Sequence, residues 1–153
     1  MMSLAFDVIT RLDGRTLATA ESCTGGGIGA ALTAVSGASA VYKGGIISYC
    51  NELKQKLLGV PSEMLESYGA VSAPVAEAMA VGAREATGAD IAVSVTGLAG
   101  PSGDAFGNSV GTVYIGYADA KRCISKAFHF TGDREQVRLS SIEAALNLIL
   151  EFI

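Results

Sequence analysis

The chain has 153 residues and a formal net charge of −4, with 50% hydrophobic and only 17% charged residues. This length predicts one domain, residues 1–153, with a substantial core. The acidic balance argues against a nucleic-acid-binding protein, which needs a basic face. No apolar run reaches the roughly 18 residues of a membrane span, and the low charge content predicts buried subunit contacts, hence a homo-oligomer.

The three cysteines, Cys23, Cys50 and Cys123, are an odd number and lack Cys-x-x-Cys spacing. Neither a disulfide framework nor a zinc site is indicated, so we expect no metal and no cofactor. Reduced thiols fit a cytoplasmic location. The first residues lack the basic stretch of a signal peptide and have helical periodicity instead.

Apolar periodicity and glycine positions predict alternating helices and strands. In chain order they are helix 3–13, strand 16–20, a helix to about 35, strand 40–49, helices 52–58, 61–68 and 73–87, strand 91–95, an antiparallel hairpin of strands 110–117 and 123–130, and a closing helix. Asn51 is predicted to cap the third helix, and Asp133 with Gln136 to begin the last one as a capping box. This order predicts an α/β fold, a three-layer α/β/α sandwich with a mixed, mostly parallel sheet of about five strands.

The turn between the first strand and the second helix is the most informative stretch. It contains Ser22, Cys23, Thr24 and the glycines Gly25 and Gly26. A strand-to-helix turn of this kind directs backbone N–H groups at one point near the positive end of a helix dipole. That point suits an anion, a phosphate or a developing oxyanion, and Ser22 stands where a nucleophile would. Two alternatives remain open: Ser22 as a plain helix cap, and Cys23 as an activated thiolate.

A serine nucleophile needs a base, and Lys54 is the candidate. It lies in the first turn of a predicted helix, where the dipole favours the neutral amine, and burial would lower its pKa further. Tyr49, at the end of the preceding strand, can orient Lys54 or relay a proton. The one histidine, His129, lies in the middle of a strand, so a serine–histidine–acid triad has little support. A solvated Lys54 and a packed Tyr49 are the simpler alternatives.

A second glycine-rich segment follows the probable central strand, and it includes Thr96, Gly97 and Gly100. Ligands of open α/β sheets bind at the carboxyl ends of strands, so these residues are expected to contact the same ligand as the first turn. A plain long loop is the alternative. Arg134 and Arg138 can form a phosphate fork, or merely a solvated helix start.

Six motifs together resemble one family, the CinA C-terminal domain family. They are, in order, 20–26, 48–60, 69–72, 96–101, 110–113 and 132–134. The resemblance covers nearly the whole chain. The chain departs from the family pattern at Cys50, where a small polar residue is usual, and at Asn108-Ser109, where Lys-Pro is common.

The resemblance implies a nicotinamide-nucleotide amidase. Such an enzyme hydrolyses the amide of nicotinamide mononucleotide to nicotinate mononucleotide and ammonia, in pyridine nucleotide salvage. The family's serine–lysine dyad maps onto Ser22 and Lys54, with Tyr49 close by and a small-molecule pyridine nucleotide as partner. The oxyanion of the acyl-transfer step would be bound by N–H groups of Thr24 to Gly26. The alternative is a non-catalytic nucleotide- or phosphate-binding module, regulatory or scaffolding, which does not need Lys54 beside Ser22.

Overall fold

The fold was examined in a computed structural model that describes every residue from Met1 to Ile153. It contains five β-strands and six α-helices. Their bounds in chain order are α1 (Met2–Arg11), β1 (Leu17–Glu21), α2 (Gly27–Thr33), β2 (Tyr42–Ile47), α3 (Asn51–Leu58), α4 (Ser62–Tyr68), α5 (Ala73–Thr87), β3 (Ile91–Gly97), β4 (Thr112–Ala118), β5 (Cys123–His129) and α6 (Arg134–Leu150).

All strands belong to one sheet with the order β2-β1-β3-β4-β5. Strand β1 pairs in parallel with both β2 and β3, and β3 is the central strand. The last two strands form the predicted hairpin: β4 is antiparallel to β3 and to β5. Four strands therefore run in one direction and β4 alone opposes them, which confirms the predicted mixed, five-stranded sheet of an α/β fold.

The helices cover both faces of the sheet, which gives the predicted three layers. On one face α1, α2 and α6 enclose the larger core, which includes Leu17, Ile91 and Val93. On the other face α3, α4 and α5 enclose a smaller core around Met79. Here α5 lies close to the sheet, because the strand residues beneath it are small: the Ser94 hydroxyl donates to the carbonyl oxygen of Ala76.

Several predicted boundaries shift for local reasons. Helix α1 ends at Arg11 rather than at 13, because Asp13 and Gly14 adopt positive φ angles of 49° and 84°. Strand β2 begins at Tyr42, after a short 3-10 turn over Ala38–Ala40. The predicted Asn51 cap is wrong: Asn51 is the first helical residue of α3, and Cys50 precedes it without a side-chain cap. The predicted Asp133–Gln136 capping box is confirmed at the start of α6.

The connections create a crevice at the carboxyl ends of β1 and β3. The chain leaves β1 through α2 on one face of the sheet and returns to β3 through α5 on the other. Strands β1 and β3 are neighbours whose connections diverge, which is the position where open α/β sheets bind ligands.

No helix in the structure is both long enough and apolar enough to span a bilayer.

Candidate active site

Ser22 lies at this crevice, directly after the last residue of β1. Its backbone N–H donates to the carbonyl oxygen of Val95 at 3.1 Å, so it continues the pairing between β1 and β3. Its side chain is 8% exposed. The sheet thus fixes the backbone of Ser22 at the point where the chain turns away from the strand.

Lys54 reaches Ser22 from α3. Its Nζ lies 3.0 Å from the Ser22 Oγ and 2.7 Å from the carbonyl oxygen of Ser48. The side chain is 1% exposed and forms no ion pair with a carboxylate. Burial lowers the pKa of Lys54 from its usual 10.5 to about 8. The structure therefore brings together the two side chains predicted as the dyad, and the largest cause of the lowered pKa is burial.

A cleft of about 330 Å³ opens above this pair. Its walls come from the ends of β1 and β3, the segment between β2 and α3, and the start of α6. The lining residues are Ser22, Cys23, Tyr49, Asn51, Lys54, Ala70, Val71, Thr96, Gly97, Leu98, Ala99, Gly100, Pro101, Ser102 and Arg134. The lining has two cationic side chains and no carboxylate.

Tyr49 lies at the rim of the cleft and does not contact Lys54. Its ring is 61% exposed, and its hydroxyl accepts a hydrogen bond from Arg134 Nη2 at 3.0 Å. Arg134 Nη1 donates to the carbonyl oxygen of Gly100 at 2.6 Å. The expectation that Tyr49 orients Lys54 is therefore corrected, because the Ser48 carbonyl does so. Tyr49 and Arg134 instead tie the two walls of the cleft together.

The positive end of α2 is occupied by a side chain of the protein itself. The Glu21 carboxylate, 2% exposed, accepts hydrogen bonds from the N–H groups of Ile28 at 2.8 Å and Gly29 at 3.1 Å. It also accepts one from the Thr24 hydroxyl at 2.6 Å. The predicted anion cradle exists, but Glu21 fills it. The N-terminus of α2 is therefore not free for a substrate phosphate, and Thr24, Gly25 and Gly26 do not line the cleft.

Arg138 also lies outside the cleft. Its Nε donates to the carbonyl oxygen of Cys23 at 3.1 Å, and its Nη2 donates to that of Thr24 at 3.2 Å. Arg134 and Arg138 thus serve different segments, and the predicted phosphate fork is not formed. Only Arg134 faces the cleft.

Free backbone N–H groups remain in the turn. Those of Cys23, Thr24 and Gly26 donate to no protein acceptor, whereas the N–H of Gly25 donates to the Ser22 carbonyl oxygen at 3.0 Å. Gly25 is thereby removed from the predicted oxyanion donors. The N–H directly after the nucleophile, that of Cys23, is the usual first donor in a strand-to-helix turn.

The alternative nucleophile, Cys23, and the alternative base, His129, are poorly suited to those roles. Burial raises the pKa of the Cys23 thiol to about 11, so it stays protonated at neutral pH. His129 lies on β5, three strand spacings from β1, or about 14 Å.

Thr96 lies at the cleft, but its hydroxyl donates to the Ala70 carbonyl oxygen at 2.8 Å. No group of three or more His, Cys, Asp or Glu side chains is arranged to hold a metal ion.

The roles of three residues at the site were not predicted from the sequence. Glu21 carried a signal, because a carboxylate that follows the apolar strand 17–20 must find buried donors. Ser48 carried none, since it acts through its backbone carbonyl while its hydroxyl is buried without a partner. Asn51 lines the cleft instead of capping α3.

Comparison with known proteins identifies the family. The model of the CinA C-terminal domain matches residues 2–153. The chain belongs to the CinA C-terminal domain family. A CinA-like protein from Geobacter sp. (strain M21) is 50% identical over 146 residues, which are 95% of this chain and 35% of that protein. A CinA-like protein from Synechococcus sp. (strain RCC307) is 50% identical over 151 residues, 96% of this chain and 36% of that protein. The chain therefore spans about a third of the length of these relatives.

Solved CinA structures share the fold. A competence-damaged protein (CinA) superfamily protein from Escherichia coli superposes with a TM-score of 0.97 at 36% identity, covering 99% of this chain and 90% of the other. A competence/damage inducible protein from Agrobacterium tumefaciens gives a TM-score of 0.94 at 37% identity, covering 98% and 93%. These matches confirm the CinA family resemblance and the α/β fold.

Proposed function

We propose that this CinA domain hydrolyses a carboxamide by means of a Ser22–Lys54 dyad, with nicotinamide mononucleotide as substrate. One observation carries the proposal: a buried lysine amine, with no carboxylate partner, lies 3.0 Å from a serine hydroxyl at the floor of a cleft. Burying an unpaired lysine is unfavourable, and a module that only binds ligands does not need its amine within hydrogen-bond distance of the Ser22 hydroxyl. The arrangement therefore favours an enzyme over the non-catalytic binding module.

The hydrogen bonds define how the dyad exchanges a proton. In the structure Lys54 Nζ donates to the Ser48 carbonyl oxygen at 2.7 Å and to Ser22 Oγ at 3.0 Å. In the neutral amine the bond to Ser48 remains, and the lone pair accepts the Ser22 hydroxyl proton over the same 3.0 Å. Ser22 Oγ then attacks the carboxamide carbon as its proton passes to Nζ. The new C–O bond opens the carbonyl to an oxyanion, which the free N–H group of Cys23, the residue of the turn that lines the cleft beside Ser22, stabilises.

In the breakdown of this intermediate Lys54 acts as the acid. Lys54 gives its proton to the amide nitrogen, the C–N bond breaks and ammonia leaves, so Ser22 carries an acyl ester. The neutral amine then takes a proton from water, whose oxygen attacks the ester, and Ser22 Oγ recovers that proton on leaving. The products are a carboxylic acid and ammonia, which become carboxylate and ammonium when the acid's proton passes to ammonia through solvent, and Lys54 returns to its neutral form.

The cleft supports an anionic, ring-containing substrate. Its basic side chains are Lys54 and Arg134, and it has no carboxylate to repel an anion. Arg134 at the rim is suited to a phosphate, while the exposed Tyr49 ring offers a flat apolar surface to a pyridine. Gly97 and Gly100 also line the cleft and leave room there because they have no side chains. The cytoplasmic location and the homo-oligomer stay predictions.

Ammonia release from nicotinamide mononucleotide tests the proposal directly. The Ser22→Ala variant should lose kcat by several orders of magnitude while calorimetry shows retained nucleotide binding, because only the nucleophile is removed. Ser140→Ala, on the remote face of α6, is the matched control and should behave as wild type. Turnover by Ser22→Ala at the wild-type rate would exclude the dyad.

A further inference from the structure

The turn that carries Ser22 is held by a buried carboxylate, that of Glu21, and a half-buried guanidinium, that of Arg138, which bond to the turn and not to each other. Glu21 receives donors from the turn and from α2, and Arg138 donates to two carbonyl oxygens of the turn. Neither side chain forms a salt bridge. The proposed mechanism uses neither group, and both lie outside the cleft lining.

Arg138 determines which way two peptide groups of the turn face. In a trans peptide the carbonyl and the N–H point in opposite directions. The bond from Arg138 to the Cys23 carbonyl oxygen therefore turns the Thr24 N–H away from the guanidinium and leaves it free of protein acceptors. The planar guanidinium also holds the next carbonyl, that of Thr24. The second peptide is further fixed by the bond from the Gly25 N–H to the Ser22 carbonyl oxygen.

Glu21 fixes the other end of the turn. Gly26, in the left-handed conformation at φ 99°, precedes α2 and has no side chain to cap it. The Glu21 carboxylate takes over that role by accepting the N–H groups of Ile28 and Gly29. It also holds the Thr24 hydroxyl. These bonds tie Thr24, the residue after Cys23, to the first turn of α2 and so fix the far end of the turn.

We propose that Glu21 and Arg138 are positioning residues that clamp the Ser22 turn from both ends and keep the free Cys23 N–H group aimed at the oxyanion. This role rests on the proposed serine chemistry. It predicts that loss of either side chain lowers the rate of attack by Ser22 more than it weakens substrate binding.

The test uses two readouts on the full chain. The first is kcat and KM for ammonia release. The second is the rate at which a fluorophosphonate labels Ser22, followed by intact mass: the Oγ–P bond forms, fluoride leaves and the Ser22 proton passes to Lys54. Labelling needs no nucleotide. If the wild type is labelled but deamidates no nucleotide, the proposed substrate fails while the clamp is still tested.

Arg138→Met should slow both kcat and labelling about 10- to 100-fold, as expected when an oxyanion donor is misaligned. KM should change less than about threefold, and the pH midpoint set by Lys54 should stay constant. Arg84→Met is the matched control, since Arg84 also donates to two backbone carbonyl oxygens, those of Asp90 and Asp119, remote from the cleft. It should leave both rates unchanged.

Two further variants keep the proposal testable if Arg138→Met does not fold. Arg138→Lys keeps the charge but lacks the planar fork, so a smaller loss of kcat and labelling is expected. Glu21→Gln keeps the size of the side chain but replaces one acceptor oxygen by an NH₂ group, which cannot accept a hydrogen bond from the backbone N–H of Ile28 or Gly29. The value of kcat should therefore fall in this variant as well. Wild-type kcat and labelling in folded Arg138 and Glu21 variants, or a change confined to KM, would overturn the clamp.

Discussion

The pH dependence of the reaction follows from the burial of Lys54. Only the neutral amine can take the proton of Ser22, and the pKa of Lys54 is about 8. The neutral fraction is then about one part in eleven at pH 7 and about ten parts in eleven at pH 9. We therefore expect kcat/KM to rise roughly tenfold between pH 7 and pH 9 and to level off above about pH 9.

A lysine with its usual pKa of 10.5 gives a different profile. Its neutral fraction would rise about a hundredfold over the same range and would keep rising beyond pH 9. Ammonia release should be measured at constant ionic strength from pH 6 to pH 10, with Ser22→Ala subtracted at each pH to remove spontaneous substrate breakdown. A rate that still climbs steeply at pH 10, or one that is independent of pH, would refute the role given to Lys54.

Two stability predictions follow from the same region. At pH 7 the buried Lys54 cation destabilises the folded chain, and this penalty disappears as pH rises from about 8 toward 10.5, because the folded chain releases its proton first. In urea titrations the advantage of Lys54→Met over wild type should therefore shrink by roughly 1 kcal/mol between pH 8 and pH 9; a constant difference would contradict it. Gly82→Ala should lower the free energy of unfolding by about 1–3 kcal/mol, because the new methyl group meets the backbone carbonyl of Leu58. Val81→Ala, at the exposed neighbouring position, should change it by less than about 0.5 kcal/mol, and equal effects of the two substitutions would contradict the close contact between α3 and α5.

Sequence alone predicted the elements whose determinants are local. The buried strand β3, the hairpin of β4 and β5 and the capping box at Asp133 each follow from a periodic pattern or a short motif, and the structure has all three. The sequence also predicted the pairing of Ser22 with Lys54. A strand-to-helix turn and the helix after the next strand meet at the same edge of a parallel sheet.

The sequence could not reveal how the polar groups of the turn are distributed. A glycine turn before a helix predicts an anion site equally well whether the anion is a ligand or a neighbouring side chain, and here it is Glu21. Arg134 and Arg138 are one helical turn apart and look equivalent in the sequence. Only the packing of α6 against the Ser22 turn separates their roles. Tyr49 was assigned to Lys54 by proximity along the chain, although its hydroxyl extends to Arg134.

The dyad is divided between two parts of the fold that differ in how firmly they are held. Ser22 belongs to the central sheet, whereas Lys54 is carried by α3, an eight-residue helix that packs on the smaller core through Leu58. Short peripheral helices open with less free energy than the whole domain does. Detachment of α3 would remove the base from Ser22 while the sheet stayed intact. Catalytic activity consequently depends on whether this one helix is attached to the sheet. In a urea titration, activity should be lost at lower urea concentrations than the sheet structure.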